Sequence, residues 1–215
     1  MRSKSESEHA KKIFTILKKE YPSVKPALNY SNPFQLLVAT ILSAQCTDAR
    51  VNIVGETLFK KYKTPADFLK VTNEELENDI HSTGFYHQKA KSIKESSKVL
   101  IEKYKGKVPA DFNALVGLPG VGRKTASVVA GNAFGIPAVA VDTHVKRLSN
   151  LLGFIKSNNP DAIEMKIKEI LPESDWTNSS HYLASHGRKI CIARKPHCLQ
   201  CCLADECPSF NPEFK

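Results

Sequence analysis

The sequence predicts an all-α protein. Helix start and stop signals recur along the chain, and apolar residues between them repeat every three to four positions, as they do on one face of a helix. The best strand candidate, residues 136–142 (IPAVAVD), has no partner strand, so we interpret it as a buried connection. Roughly ten helices fit this pattern.

The first predicted helix has an apolar side formed by Ile13, Ile16, Leu17 and Tyr21. Asn32 and Pro33 begin the second, which ends near Leu42, because proline suits the first helical position. A third helix has one apolar face, formed by Val51, Val54, Leu58 and Tyr62.

Two short helices follow, each beginning at a threonine with an acid three residues later: Thr64 with Asp67, and Thr72 with Glu75. A long helix then runs to Gly106, with its inner face at Ala90, Ile93, Ser97, Leu100 and Tyr104. Asn159 and Pro160 begin a later helix that buries Ile163, Ile167, Ile170 and Leu171.

Composition narrows the classes of function. The 215 residues are 41% hydrophobic, enough for one large domain or two small ones. Lys and Arg number 31 against 22 Asp and Glu, a net charge of +9 that favours an anionic partner, nucleic acid before an acidic membrane. A merely basic soluble protein fits the charge equally well. The N-terminus lacks an apolar signal region, and no run reaches membrane-spanning length, so we expect a cytoplasmic protein.

Residues 117–127 (GLPGVGRKTAS) come within one residue of a Walker-type loop, but Arg123 stands between Gly122 and Lys124. The flanking patterns are helical, so Gly120 and Gly122 join two helices rather than a strand and a helix. Such a hairpin directs amide N–H groups and the positive end of the second helix at an anion. A nucleic-acid backbone phosphate is therefore favoured, with a plain connection between helices as the alternative.

Lys124 falls in the first turn of the second helix. The helix dipole disfavours an ammonium there, and partial burial would act in the same direction, so one interpretation is a neutral amine able to form a Schiff base. The other is a phosphate contact beside Arg123.

Asp142 begins the next helix as an N-cap, a structural role that alone would explain it. If it faces Lys124, its carboxylate could also accept a proton or stabilise a cation.

Five of the six cysteines lie within residues 191–207. Four have the spacing C-x6-C-x2-C-x5-C, namely Cys191, Cys198, Cys201 and Cys207. So short a loop favours an iron–sulfur cluster over structural zinc, which usually uses two separated pairs of ligands. Cys202 breaks the C-x2-C pair, so we do not interpret it as a ligand.

Arg194 and Lys195, between the first two cysteines, form either a basic prong for phosphate or a solvated charged loop.

Together, LPGVGRKTASVV, AVDTHV and the cysteine spacing resemble the endonuclease III family of DNA glycosylases. LSAQCTD and TGFYHQKA extend the resemblance over nearly the whole chain. It implies a helix-hairpin-helix glycosylase fold with two helical domains and the active site in the cleft between them. One domain would be a six-helix barrel, residues 23–137, with the hairpin at 111–134. The other would join residues 1–22 to 138–215 and hold a 4Fe-4S cluster.

The resemblance also implies roles for residues. Lys124 would attack C1′ of the deoxyribose and displace an oxidised pyrimidine, with Asp142 activating the amine and stabilising oxocarbenium character. Elimination from the Schiff base would then cleave the strand 3′ to the abasic site. Double-stranded DNA bearing such lesions or abasic sites is the expected partner of a monomer. The residues expected to contact it are Gln45, Phe85, Gly120, Gly122, Arg123, His144, Arg194 and Lys195.

Some of these contacts have plainer explanations. Gln45 could be a polar residue at a helix C-terminus, Phe85 part of the core, and His144 an ordinary residue at a helix start. The resemblance implies that Gln45 and Phe85 fill the gap or wedge the duplex open. The family often carries an aliphatic residue where Phe85 stands, so its pattern supports this role less well at Phe85 than the other roles.

One alternative lies within the same superfamily, and two belong to other classes of function. An adenine-removing glycosylase shares the hairpin, the aspartate and the cluster, but such enzymes generally lack the lysine and carry a further C-terminal recognition domain. A noncatalytic DNA-binding module explains the hairpin and the charge but makes the pair Lys124 and Asp142 accidental. A ferredoxin-like electron carrier explains the cysteines but needs no glycine hairpin.

Overall fold

The structure, a computed structural model, describes residues 2–213. All regular structure in that range is helical, which confirms the all-α prediction. The α-helices of the first half are α1 (Arg2–Glu20), α2 (Pro33–Leu42), α3 (Asp48–Lys61), α4 (Pro65–Lys70), α5 (Asn73–Ile80) and α6 (Tyr86–Tyr104). Those of the second half are α7 (Phe112–Val116), α8 (Arg123–Phe134), α9 (Thr143–Leu151), α10 (Pro160–Ile170) and α11 (Trp176–Lys189). Short 3-10 turns cover His81–Thr83, Glu173–Asp175, Cys198–Gln200 and Ala204–Glu206.

The predicted helix starts are confirmed by their caps. The Asn32 side chain accepts a hydrogen bond from the amide of Gln35 at 2.9 Å, and Pro33 is the first residue of α2. Thr64 and Asp67 cap α4 reciprocally, as a capping box requires. Caps of this kind contribute about 1 kcal/mol each, so they fix where each helix begins.

The chain forms two compact units. The first, here called the hairpin unit, is Pro26–Ile136. In it α6 packs on α4 and α5, and α2 packs on α8. Its core includes Leu36, Leu37, Phe68, Ile93 and Leu100.

The second, the cysteine unit, joins Met1–Lys25 to Pro137–Lys215. There α1 packs on α10 and α11, and α9 packs on α11. Its core includes Ile13, Leu17, Val145, Ile163 and Leu183.

Residues 136–142 are a buried connection, as predicted, rather than a strand. Ala138 and Val139 are buried. The amide of Ala138 donates to Oγ1 of Thr177 at 3.3 Å, and that of Ala140 donates to Oγ of Ser180 at 3.0 Å. Side chains of α11 thus satisfy backbone groups that a neighbouring strand would otherwise pair. Among the described residues, no helix is long and apolar enough to cross a membrane.

Candidate functional site

The glycine hairpin forms as predicted, between α7 and α8. The amide of Val121 donates to the carbonyl of Leu118 at 3.1 Å. The side chains of both residues are buried, so they fix the turn to the core. Gly122 is the N-cap of α8, in extended backbone with φ −85° and ψ 174°. Because glycine has no side-chain acceptor, this cap offers nothing to the first amides of α8. Their direction and the helix dipole suit a phosphate at this point.

Gly120 is the position where the hairpin requires glycine. Its φ is +72°, in the left-handed region, and a Cβ added there would lie 2.4 Å from Cβ of Ser92 on α6. On the same helix, Oγ of Ser96 donates to the carbonyl of Pro119 at 2.6 Å. The turn therefore sits directly on α6, which fixes its conformation.

Lys124 is the second residue of α8, directly after Arg123. Its side chain is exposed. The Arg123 guanidinium lies 5.3 Å from the centre of the Phe112 ring, a cation–π contact that joins the two helices of the hairpin. The hairpin thus presents an exposed amine next to an arginine that is held in place.

Asp142 is the N-cap of α9, and its Oδ1 accepts a hydrogen bond from the amide of Val145 at 2.7 Å. Burial lowers the pKa of His144, as do Arg188 and Arg147, while Asp142 raises it. His181 on α11 has its pKa lowered first by burial and then by Arg188, again opposed by Asp142. Asp142 is therefore a capped, half-buried carboxylate within electrostatic reach of two histidines that are neutral at pH 7.

Sequence reasoning did not identify His181 or Arg147. Nη2 of Arg147 donates to the carbonyls of Gly187 at 2.9 Å and Cys191 at 2.5 Å. A Cβ on Gly187 would lie 3.0 Å from His144, so glycine lets α11 approach α9 closely. Arg147 thus ties the helix capped by Asp142 to the first residue of the cysteine loop.

A cavity of about 200 Å³ in the cysteine unit is lined by all four predicted ligands, Cys191, Cys198, Cys201 and Cys207. Each is half-buried, whereas Cys202 is exposed and lies outside this lining. In the part of the chain that the structure describes, His, Cys, Asp and Glu side chains are not gathered into a metal-holding group of three or more. The donor set and the mainly apolar lining of the cavity fit a thiolate-bound cluster.

One of these cysteines has a buried polar partner that the sequence did not indicate. Nε2 of His186 lies 3.3 Å from Sγ of Cys201, and Nδ1 of His186 lies 3.1 Å from the hydroxyl of Tyr21, the residue that follows α1. Burial lowers the pKa of His186 to about 4, so the ring is neutral at pH 7. In the tautomer protonated at Nε2, this nitrogen can donate to the Cys201 sulfur while Nδ1 accepts from the Tyr21 hydroxyl.

The predicted basic prong is exposed. Arg194 and Lys195 lie in the loop between Cys191 and Cys198, and Arg194 also borders the cavity. The charges at the tip of this loop face solvent, as a phosphate contact requires.

Gln45 and Phe85 are both exposed and both left-handed, with φ of 52° and 48°. Phe85 keeps 66% of its surface exposed, so ordinary core packing does not explain it. Left-handed backbone costs a non-glycine residue roughly 1–2 kcal/mol. Two loops of the hairpin unit therefore hold strained residues whose side chains face solvent.

Comparison with known proteins identifies the family. A sequence model of the HhH-GPD superfamily of base excision DNA repair proteins matches residues 38–173. Endonuclease III of Synechocystis sp. is 49% identical over 206 residues, which cover 95% of this chain and 94% of the relative. Endonuclease III of Escherichia coli K12 is 42% identical, covering 91% and 92%. The chain belongs to the endonuclease III family.

Solved structures agree with this assignment. A trapped endonuclease III–DNA covalent intermediate has a TM-score of 0.93 and 43% identity, covering 97% of this chain and 99% of that one. A non-covalent endonuclease III–DNA complex has a TM-score of 0.91 and 44% identity, covering 94% and 95%. These similarities confirm the predicted family and the helix-hairpin-helix glycosylase fold.

Proposed function

We propose that this protein is a base-excision DNA glycosylase with AP lyase activity, which removes oxidised pyrimidines from double-stranded DNA and then cleaves the strand. The observation that carries the proposal is the position of Lys124. It is an exposed amine in the first turn of a helix whose glycine N-cap suits a phosphate, in a chain 43% identical to an endonuclease III trapped covalently on DNA. Residues 23–137 would be the six-helix barrel domain, and residues 1–22 with 138–215 the cluster domain.

In this mechanism the damaged nucleotide leaves the stack, which costs a few kcal/mol, and less at a damaged pair than at an intact one. Nζ of Lys124 gives up a proton and attacks C1′, and the bond from C1′ to the base breaks with its electron pair going to the base. The sugar ring opens to a protonated Schiff base. Loss of a proton from C2′ expels the 3′ phosphate, and water then hydrolyses the Schiff base and frees Lys124.

The other residues support these steps. Asp142 accepts the proton that Lys124 loses and stabilises the cationic character at C1′. Gly120, Gly122 and Arg123 bind backbone phosphate, as do Arg194 and Lys195. Gln45 and Phe85 fill the gap left by the extruded nucleotide, and His144 contacts the damaged strand.

Cys191, Cys198, Cys201 and Cys207 would hold a 4Fe-4S cluster. When bound, it would supply a rigid crosslink for the loop that carries Arg194 and Lys195, because the reaction itself transfers no electrons.

Borohydride trapping on a duplex with one abasic site tests the proposal. Borohydride reduces the Schiff base to a stable amine, so wild type and the control variant Lys98→Ala should form a covalent adduct, whereas Lys124→Ala should not. Lys98 is an exposed lysine of α6. An adduct with Lys124→Ala would refute the assigned nucleophile. The absence of any adduct would favour an adenine-type glycosylase or a binding module.

A further inference from the structure

Lys89 on α6 is a buried lysine for which the mechanism above has no use. Only 4% of its surface is exposed. Its Nζ donates to the carbonyl of Leu42 at 2.7 Å and to that of Thr83 at 2.8 Å. Hydrogen bonds from a charged donor are stronger than those between neutral groups, so the two bonds together offset part of the cost of burying the ammonium.

The two carbonyls lie where two loops begin. Leu42 is the last residue of α2, and Gln45 follows three residues later. Thr83 ends a 3-10 turn, and Phe85 follows two residues later. Lys89 thus joins the bases of the two loops whose exposed residues have left-handed backbone.

The backbone of Lys89 also contributes. Its amide donates to the carbonyl of Phe85 at 3.1 Å, which makes the left-handed residue the N-cap of α6. Strained backbone persists only where the surroundings over-determine it. Here the side chain and the main chain of one residue fix both ends of the segment that holds Phe85.

The same stretch of α6 supports the hairpin. Ser92 lies three residues after Lys89 and contacts Gly120, and Ser96 lies seven residues after it and holds Pro119. Positions i, i+3 and i+7 share one face of a helix. One face of α6 therefore supports both loops and the phosphate-binding turn.

We propose that Lys89 is a positioning residue: it holds the Gln45 and Phe85 loops in register with each other and with the glycine hairpin. The inference rests on the proposed function, in which these side chains enter the duplex. A rigid spacing lets Gln45 and Phe85 reach the gap while the hairpin binds the backbone. Loss of the spacing removes recognition of the gap but leaves phosphate binding intact.

The test is Lys89→Met, which keeps the length of the side chain and removes the charge and its donors. The control is Lys98→Met, which removes an exposed lysine from the same helix. Affinity is measured for a duplex with a tetrahydrofuran abasic analogue and for the same duplex undamaged. For Lys89→Met the preference for the abasic duplex should fall about tenfold, or about 1.4 kcal/mol, with affinity for undamaged DNA unchanged.

A double-mutant cycle separates positioning from general destabilisation. Phe85→Ala should reduce the abasic preference in wild type and have little further effect in Lys89→Met, because the ring is already misplaced. Equal effects in both backgrounds would overturn the inference, as would an equal loss of affinity for both duplexes in Lys89→Met.

A measurement on wild type covers the case in which Lys89→Met fails to fold. Amide exchange of residues 43–47 and 83–86 should slow together when the abasic duplex binds, because one side chain holds both segments. Slowing of only one segment would contradict the proposal. If wild type has no preference for the abasic duplex, this inference fails together with the proposed function, whereas a preference that Lys89→Met retains refutes the inference alone.

Discussion

Gly120 rests on Ser92: a methyl group at Gly120 would lie 2.4 Å from Cβ and 2.5 Å from Oγ of that serine. Gly120→Ala should therefore reduce the free energy of unfolding by about 2–4 kcal/mol, because left-handed backbone and overpacking add. Chemical denaturation measures this loss, and trapping on abasic DNA should fall with it.

Gly122→Ala is the matched control. The space beside Gly122 is open and its φ is −85°, so alanine fits without strain. Because alanine is a poorer N-cap than glycine, its stability should fall, but by no more than about 1 kcal/mol. Equal destabilisation by the two substitutions would show that the contact with Ser92 does not shape the turn.

Two substitutions at Asp142 distinguish its role as the N-cap of α9 from its proposed role as a catalytic carboxylate. Asparagine is also a good N-cap, so Asp142→Asn should keep the bond to Val145 and the stability of α9. Without the carboxylate, base release should slow by a factor of about 10²–10⁴. Asp142→Ala should in addition lose about 1 kcal/mol of stability. Single-turnover kinetics and thermal unfolding measure the two effects, and normal base release by Asp142→Asn would exclude a catalytic carboxylate.

The cysteine cavity predicts which thiols hold iron. Cys198 lines it, whereas Cys202 is exposed and lies outside the lining. The purified Cys202→Ser variant should contain as much iron and sulfide per chain as wild type, and Cys198→Ser should contain much less. Iron loss in Cys202→Ser with retention in Cys198→Ser would reassign the ligand.

Stability should fall with acid in a way that depends on His181. Burial and Arg188 hold its pKa below the ordinary value of about 6.5, so above that pH the ring is neutral in both the folded and unfolded states. Below it the unfolded chain binds the proton first, so the free energy of unfolding declines by up to about 1.4 kcal/mol per pH unit. The decline stops once pH passes the lowered pKa of the folded state.

Denaturation at pH 7.5 and 5.5 tests this dependence against His181→Gln, whose side chain does not titrate. The variant should lose less stability than wild type between the two pH values. His144 is unchanged in both proteins, so its own lowered pKa cancels in the comparison. Identical losses would mean that His181 is protonated equally in both states.

The local parts of the site were predictable from sequence. Gly120 and Gly122 lie between two helical patterns, and the cap at Asp142 precedes an apolar periodicity, so each depends on neighbours within a few positions. The outward direction of Lys124 follows from the same periodicity, because Ala126, Val129 and Ala130 form the buried face of α8.

The rest of the site depends on contacts that no local pattern encodes. The Leu42 carbonyl that accepts from Lys89 is 47 positions away, and Tyr21 and His186 are separated by 165. The left-handed backbone of Gln45 and Phe85 also has no sequence signature, since that conformation favours Gly, Asn and Asp.

The hydrogen bond between Tyr21 and His186 joins the end of the first helix to α11, two segments that the ribosome synthesises far apart in time. The hairpin unit is continuous and can fold as soon as Ile136 has emerged. Helix α1 packs on α10 and α11, so its apolar residues Ile13 and Leu17 stay exposed to solvent until those two helices are translated. The earliest segment to be made is thus among the last to reach its native contacts, and it is the part of the nascent chain that most needs protection from aggregation.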